Sequence, residues 1–260
     1  MAVVTFMSDF GLEDHYVAAV KAAIIREDPT IRIVDISHHI QASDIGHAAY
    51  VLKHAYHEFP EGTVHLCAID ISSREKSRAV AVKMANHFFV GMDCGLFSLI
   101  SQTSPSEIIE IPQPGDIQST FEAKDILAPV AAKLAKSGNT KGLGQPLSEL
   151  KTLFPRQLKV TKREIVGNVI RVDHYGNLIT NITKKEFETI VNLNGQKGYE
   201  ICFGRERSPA YHNSYHEVDS GEYFIIFNSS QLLQIGINKG NASELLGLGP
   251  DSPVIINFLT

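Results

Sequence analysis

Residues 3–17 read VVTFMSDFGLEDHYV, and the order of residue types there sets the expectations for the rest of the chain. Val3, Val4, Phe6 and Met7 form a short apolar run of the kind expected for a strand buried on both faces. The run stops at Ser8, Asp9, Phe10 and Gly11, and a helical pattern begins near Asp14. Two carboxylates, Asp9 and Asp14, therefore fall at the carboxyl end of a first strand and the start of the next helix. In open α/β sheets that is where ligands bind. A strand-tip aspartate can accept two hydrogen bonds from a vicinal diol such as a ribose. For Asp14 the simpler reading is an N-cap of a helix over 16–26. Asp9 is not at a cap position, and the ligand reading is preferred there.

Working outward, strand and helix patterns alternate. The spacing of Val17, Val20, Ala23 and Ile24 predicts the first helix, and 31–36 reads as a second strand with Asp35 near its end. A helix is expected over 42–57 and a third strand over 64–69, with Asp70 at its tip. A strand pair over 79–84 and 88–91, a short helix over 95–102 and a strand over 107–111 follow. The pattern over 126–136 is helical, with Pro129 tolerable only near its first turn and Ser137 and Gly138 closing it. This alternation predicts a layered α/β domain with a largely parallel sheet, spanning 1–139. Residues 140–158, rich in Gly, Pro and Lys, read as a linker. Beyond it, short strand-like segments over 165–172, 178–182, 223–227, 232–237 and 254–258 predict a small β-barrel-like domain over 159–260.

Bulk properties narrow the classes. A chain of 260 residues with 43% hydrophobic and 20% charged content is an ordinary globular one. Its net charge of -5 comes without long charge runs, so neither nucleic acid nor an anionic membrane is indicated as a partner. No secretory pattern occupies the amino terminus and no apolar run reaches transmembrane length. Cys67, Cys94 and Cys202 are odd in number and far apart, which reads as core cysteines of a cytoplasmic protein.

Three constellations can carry chemistry. Asp70 opens a polar loop containing Arg74, Lys76 and Arg78, and an aspartate held near a guanidinium keeps its charge and can orient a water. The plain alternative is a solvated loop with surface ion pairs. In VIRVDHYGNLITNI, the residues Asp173, Tyr175, Gly176 and Asn177 form a tight turn between strands. By itself this is ordinary hairpin punctuation. The same side chains can also take an ammonium, stack on a base and read a base edge. Finally, Asp9, Asp14, Asp35 and His38 raise the option of a metallohydrolase. No zinc-type His or Cys spacing supports it, and scattered histidines are more often surface or satisfied core residues. Neither a Gly-rich phosphate loop nor a GxSxG nucleophile elbow is present.

Taken together, SDFGLEDHYV, the Asp70 loop, VGMDCGLFS, TFEAKDILAPVAAKLA, VDHYGNLITNI and FNSSQLLQIGINKGNA resemble one family across nearly the whole chain. It is the S-adenosylmethionine hydroxide adenosyltransferases, or S-adenosylmethionine hydrolases, with the related fluorinase and chlorinase. The resemblance implies an α/β amino-terminal domain, a β-barrel carboxy-terminal domain, and a homotrimer with sites between subunits. It implies no cofactor, S-adenosylmethionine being the substrate. Asp9 matches the aspartate that clamps both ribose hydroxyls, and Asp173 the one that holds the methionine ammonium. Ser229 lies where the methionine carboxylate is bound. Tyr175 and Asn177 match the adenine contacts, Tyr175 replacing the more usual Phe.

The departures lie around the attacking water, where the family's hydrolases use Asp, Arg and His. Asp70 fits the first. The arginine falls at Ser77 or Arg78, with Arg74 close by. The family's Phe-His-Gly-Arg-Asp is here Phe121-Glu122-Ala123-Lys124-Asp125, so Glu122 stands where histidine is expected. Ala123 replaces the fluorinase's halide-binding serine, and Asp70 would repel a halide, so halogenation is not expected. Cys94 replaces an asparagine of another family motif. The expected activity is hydrolysis of S-adenosylmethionine to adenosine and methionine, with Asp70, Arg78 and Glu122 on the water. The rivals are a non-catalytic binder of S-adenosylmethionine or adenosine, and the metal-dependent hydrolase.

Overall fold

The residues from Val3 to Ser8 form a strand, β1, whose last five members are all buried. The computed structural model describes residues 2–69, 78–101, 103–112 and 119–259. It divides into two units, Met1–Pro155 and Arg156–Thr260.

In the first unit β1 is followed by α1 (Tyr16–Glu27), β2 (Arg32–Ser37), α2 (Ile45–Ala55), β3 (Val64–Ala68), β4 (Ala79–Met84) and β5 (His87–Met92). Then come α3 (Leu96–Ile100), β6 (Glu107–Glu110), α4 (Ala128–Ser137) and β7 (Gln145–Pro146). The seven strands make one sheet in the order β2-β1-β3-β5-β4-β6-β7. Pairing is parallel through β2, β1, β3 and β5 and antiparallel through β4, β6 and β7. The sheet is therefore mixed, not largely parallel. The physical reason is the tight Ala85–Asn86 turn, both residues with positive φ, which folds β4 directly back against β5.

Alternate residues of the central strands feed two cores, one on each face of the sheet. Val4, Phe6, Leu66 and Val90 pack with α1 and α4, while Met7, Cys67, Val80 and Phe89 pack with α2 and α3. Truncating a wholly buried ring such as Phe6 to Ala would cost about 3–5 kcal/mol. Helix ends follow their side chains: Asp44 caps α2 through the His47 amide, and Gly138, at φ 65, closes α4. Pro129 sits in the first turn of α4, as its missing N–H requires. Asp14 does not cap α1; that position is His15, which makes no side-chain cap bond. Much of 140–158 is built into this unit: β7 extends the sheet, and the Lys151 and Leu153 amides bind Asp93 and Ser98.

The second unit comprises β8 (Lys159–Val160), β9 (Glu164–Val172), β10 (Leu178–Thr183), α5 (Lys184–Leu193), β11 (Tyr199–Phe203) and β12 (Glu206–Ser208). It ends with β13 (Tyr223–Phe227), β14 (Leu232–Ile237), α6 (Ala242–Leu246) and β15 (Pro253–Phe258). All pairings are antiparallel, in the order β12-β11-β15-β9-β10-β14-β13, with β8 added on β9. The sheet curls so that its end strands lean together. Tyr223 Oη donates to the Arg207 carbonyl at 3.3 Å, and the Phe203 and Tyr223 rings meet at 5.3 Å. The result is a curled half-barrel around Ile165, Ile182, Phe203, Ile235 and Ile256.

Candidate active site

In the first unit the site grows from the tips of the parallel strands. β1 and β3 run side by side to Ser8 and Ala68. Asp9 follows Ser8, half-buried, and its Oδ2 accepts a 3.1 Å hydrogen bond from the Ser43 amide. Ser43 reaches that position with a φ of 58, so the loop after β2 turns sharply towards the loop after β1. Asp70 and Arg74 lie outside the described residues.

Glu122 lies at the start of a π-helical turn, Ala123–Leu127, that leads into α4 and packs against α1, β3 and β5. Its Oε2 is buried with no hydrogen-bond partner among the described residues, and burial pushes the carboxyl above its usual range. Aromatic packing joins this turn to the Asp9 loop. Phe10, next to Asp9, meets Phe121, next to Glu122, at 5.8 Å, and Tyr16 touches both.

Arg78 has a structural commitment. Its Nε donates to the buried Asp93 carboxylate at 3.0 Å and a terminal nitrogen donates to the Glu149 carbonyl at 2.9 Å. Asp93 also accepts from the Lys151 amide at 2.9 Å. Asp35 is paired with Lys21 at 2.6 Å and lies 3.2 Å from His38 Nε2. Among the described residues no group of three or more His, Cys, Asp or Glu is placed to hold a metal ion.

In the second unit Asp173, Tyr175 and Asn177 are held in one loop. Asp173 Oδ1 accepts from the Tyr175 and Asn177 amides, and Oδ2 from the Asn177 side chain, all at 2.9 Å. Gly176 has φ 79, and a β-carbon there would collide with the Asn241 side chain. Tyr175 is 75% exposed. The three residues line a cleft of about 840 Å³ with Tyr215, Phe224 and Asn238. Ser229 is not in that lining. It lies on the tight turn between β13 and β14, a few residues beyond the paired Ile226 and Gln234, which do line the cleft.

Sequence reasoning missed Ser43, Asp93 and Asn241. Asp93 was inside a quoted motif but carried no assigned role, and nothing in the sequence marks the Ser43 amide.

A mixed α/β unit with carboxylates at its strand tips, joined in sequence to a curled β unit bearing an Asp-Tyr-Asn loop, matches one known class. Residues 4–144 match the SAM hydroxide adenosyltransferase N-terminal domain, and residues 167–255 its C-terminal domain. The chain belongs to the SAM hydroxide adenosyltransferase family. It is similar to the (R)-S-adenosyl-L-methionine hydrolase of Thermus thermophilus, 34% identical over 266 residues, covering 98% of this chain and 99% of that protein. A Methanocaldococcus jannaschii protein of the same name is 31% identical over 260 residues, covering 95% and 92%. The fluorinase of Nocardia brasiliensis is more distant, 26% identical over 225 residues and 72% of this chain. A crystal structure of a conserved Thermotoga maritima protein superposes with a TM-score of 0.88 at 30% identity, covering 98% of this chain and all of that one.

Proposed function

We propose that this protein hydrolyses S-adenosyl-L-methionine to adenosine and methionine. The observation that carries the reading is the likeness to hydrolases of that name along nearly the whole chain, at 30–34% identity. Water attacks the ribose 5′ carbon opposite sulfur, the carbon–sulfur bond breaks, and its electron pair turns the sulfonium into the neutral thioether of methionine. The water's proton passes to a base or to solvent. No general acid is needed for so good a leaving group, so catalysis rests on positioning and on stripping water from the nucleophile.

In this reading Asp9 takes the two ribose hydroxyls and Asp173 takes the methionine ammonium. A carboxylate has about four lone-pair positions. The loop around Asp173 uses three of them, which leaves one for a cation. Tyr175 stacks on adenine, Asn177 reads its edge, and Ser229 takes the methionine carboxylate. Asp70, Arg78 and Glu122 hold the water, and Glu122, with an oxygen that has no partner among the described residues and a raised proton affinity, is suited to be the base. We further place the enzyme in the cytoplasm, in keeping with three free cysteines, and as a homotrimer with sites between subunits. Light scattering tests the latter.

The deciding experiment is chromatography of products after incubation with S-adenosyl-L-methionine, with and without chloride, alongside Asp70→Ala. Adenosine and methionine, independent of chloride and lost in the variant, are expected. A 5′-chloro product overturns the nucleophile, and tight binding without turnover turns the reading to a binding protein.

A further inference from the structure

The tetrapeptide Ser8–Gly11, which carries Asp9, is tied at both ends to one residue. Ser8 Oγ and His38 Nδ1 are 2.7 Å apart, and the Gly11 amide donates to the His38 carbonyl at 2.8 Å. The imidazole is almost fully buried and meets the Phe6 ring edge-on at 4.6 Å. Its Nε2 faces Asp35 Oδ1 at 3.2 Å, off the line of a good hydrogen bond. A carboxylate facing Nε2 puts the ring proton there, so the Ser8 hydroxyl donates to Nδ1. Asp35 is fixed in turn by Lys21.

Serine, histidine and aspartate in a row suggest a hydrolytic triad, but the connections exclude it. Ser8 is wholly buried, and its hydroxyl is spent on the histidine. The arrangement is a splint. Asp9 sits between the two anchored residues, and its carboxylate accepts a hydrogen bond from the Ser43 amide. A vicinal diol can be held by two hydrogen bonds only if the carboxylate plane is fixed, and small displacements of a positioned group are costly.

We infer that His38, through Ser8 and Gly11, is a positioning residue that fixes Asp9 for recognition of the ribose diol; the inference rests on the functional reading above. Neither His38 nor Ser8 touches substrate in this scheme.

The test compares adenosine with 2′,3′-dideoxyadenosine, which lacks the diol, by calorimetry on the full-length protein. Wild type is expected to prefer adenosine. Ser8→Ala and His38→Ala should each weaken adenosine about tenfold, the scale of one hydrogen bond to a charged group, and leave the dideoxy nucleoside unchanged. His38→Asn, whose amide can replace Nδ1, should restore most of the preference. Thermal melts establish that each variant is folded, and Ser8→Ala, the smallest change, carries the test if His38→Ala is not. Equal weakening of both nucleosides, or an unchanged preference, overturns the inference alone. Wild type that binds neither nucleoside overturns the functional reading and the inference with it.

Discussion

The rings of Phe10 and Phe121 meet edge to face at 5.8 Å, and each is the chain neighbour of a candidate site carboxylate, Asp9 and Glu122. Two segments more than a hundred positions apart in sequence are thereby joined through a shared apolar contact, with Tyr16 packed 5.4 Å from Phe121. Offset and edge-on aromatic pairs add roughly 1 kcal/mol beyond their buried area. Phe121→Ala is expected to lower stability by about 2 kcal/mol, since the ring is only half-buried, and to raise KM as well as lower kcat. Denaturant melts and steady-state kinetics check this.

Glu122 makes turnover and stability respond to pH in opposite senses. Its folded-state pKa lies above the ordinary value of 4.5, so the folded protein binds that proton more tightly than the unfolded chain. The stabilisation from protonation is full below about that value and is lost as pH rises through the folded pKa. Glu122→Gln should therefore raise Tm at neutral pH, with the gain vanishing in acid. If Glu122 is the base, the same variant removes most turnover and abolishes the acidic limb of the rate profile, which parallel melts and kinetics across pH would show.

The Arg78–Asp93 pair predicts a stability cost separate from any catalytic one. Asp93 is buried and its partners are the Arg78 guanidinium and the Lys151 amide. Asp93→Ala should cost about 2–3 kcal/mol, less than a fully buried pair because the Arg78 side chain is 36% exposed. Arg78→Lys should recover little of the loss seen in Arg78→Ala, because an ammonium cannot reproduce the fork that spans Asp93 and Glu149.

On the sheet's other end, His65 and His87 are buried side by side, His65 Nε2 lying 3.1 Å from His87 Nδ1. Burial, with some help from the neighbouring His87, lowers the His65 pKa from 6.5 to about 3. A depressed histidine contributes stability above its unfolded value, and that stability fades as pH falls from 6.5 towards 3. Urea midpoints should decline across that window, and His65→Gln should flatten the decline.

Gly176 predicts a loss confined to the second unit's loop. With φ 79 and the Asn241 side chain pressed against it, Gly176→Ala should cost about 1–3 kcal/mol and displace Tyr175 and Asn177. Reduced adenosine affinity by calorimetry is the readout. Tyr175→Ala, at a 75% exposed position, should weaken the same binding with stability within about 0.5 kcal/mol of wild type.

Much of this architecture was legible because hydrophobic periodicity is local. β1, β4, β13 and β14 stand where their apolar runs place them, and the resemblance led to the right family. Sheet direction was not legible: β5 is parallel to β3 yet antiparallel to β4, a choice made by a two-residue turn and long-range packing. Helix α5 was overlooked although Thr183 and Glu186 form a capping box and Phe187 and Ile190 stand at helical spacing on its buried face. The π-helical turn was not anticipated: in sequence, Ile126 and Leu127 read as the start of a regular helix over 126–136. The splint at Asp9 joins residues thirty positions apart through one side chain and one carbonyl, and no spacing rule encodes it.

That π-helical turn has a genetic consequence. A π turn is an α-helix carrying one surplus residue, a feature that recurs at functional sites. Removing the surplus residue between Ala123 and Leu127 would restore regular α winding and leave Glu122 and α4 on nearly their present faces, because the bulge absorbs the extra residue within a single turn. What would be lost is the widened turn itself, which lies directly beside Glu122. A reading frame that loses three nucleotides here is expected to keep the helix and the Glu122 carboxylate while changing which side chains the turn presents beside it.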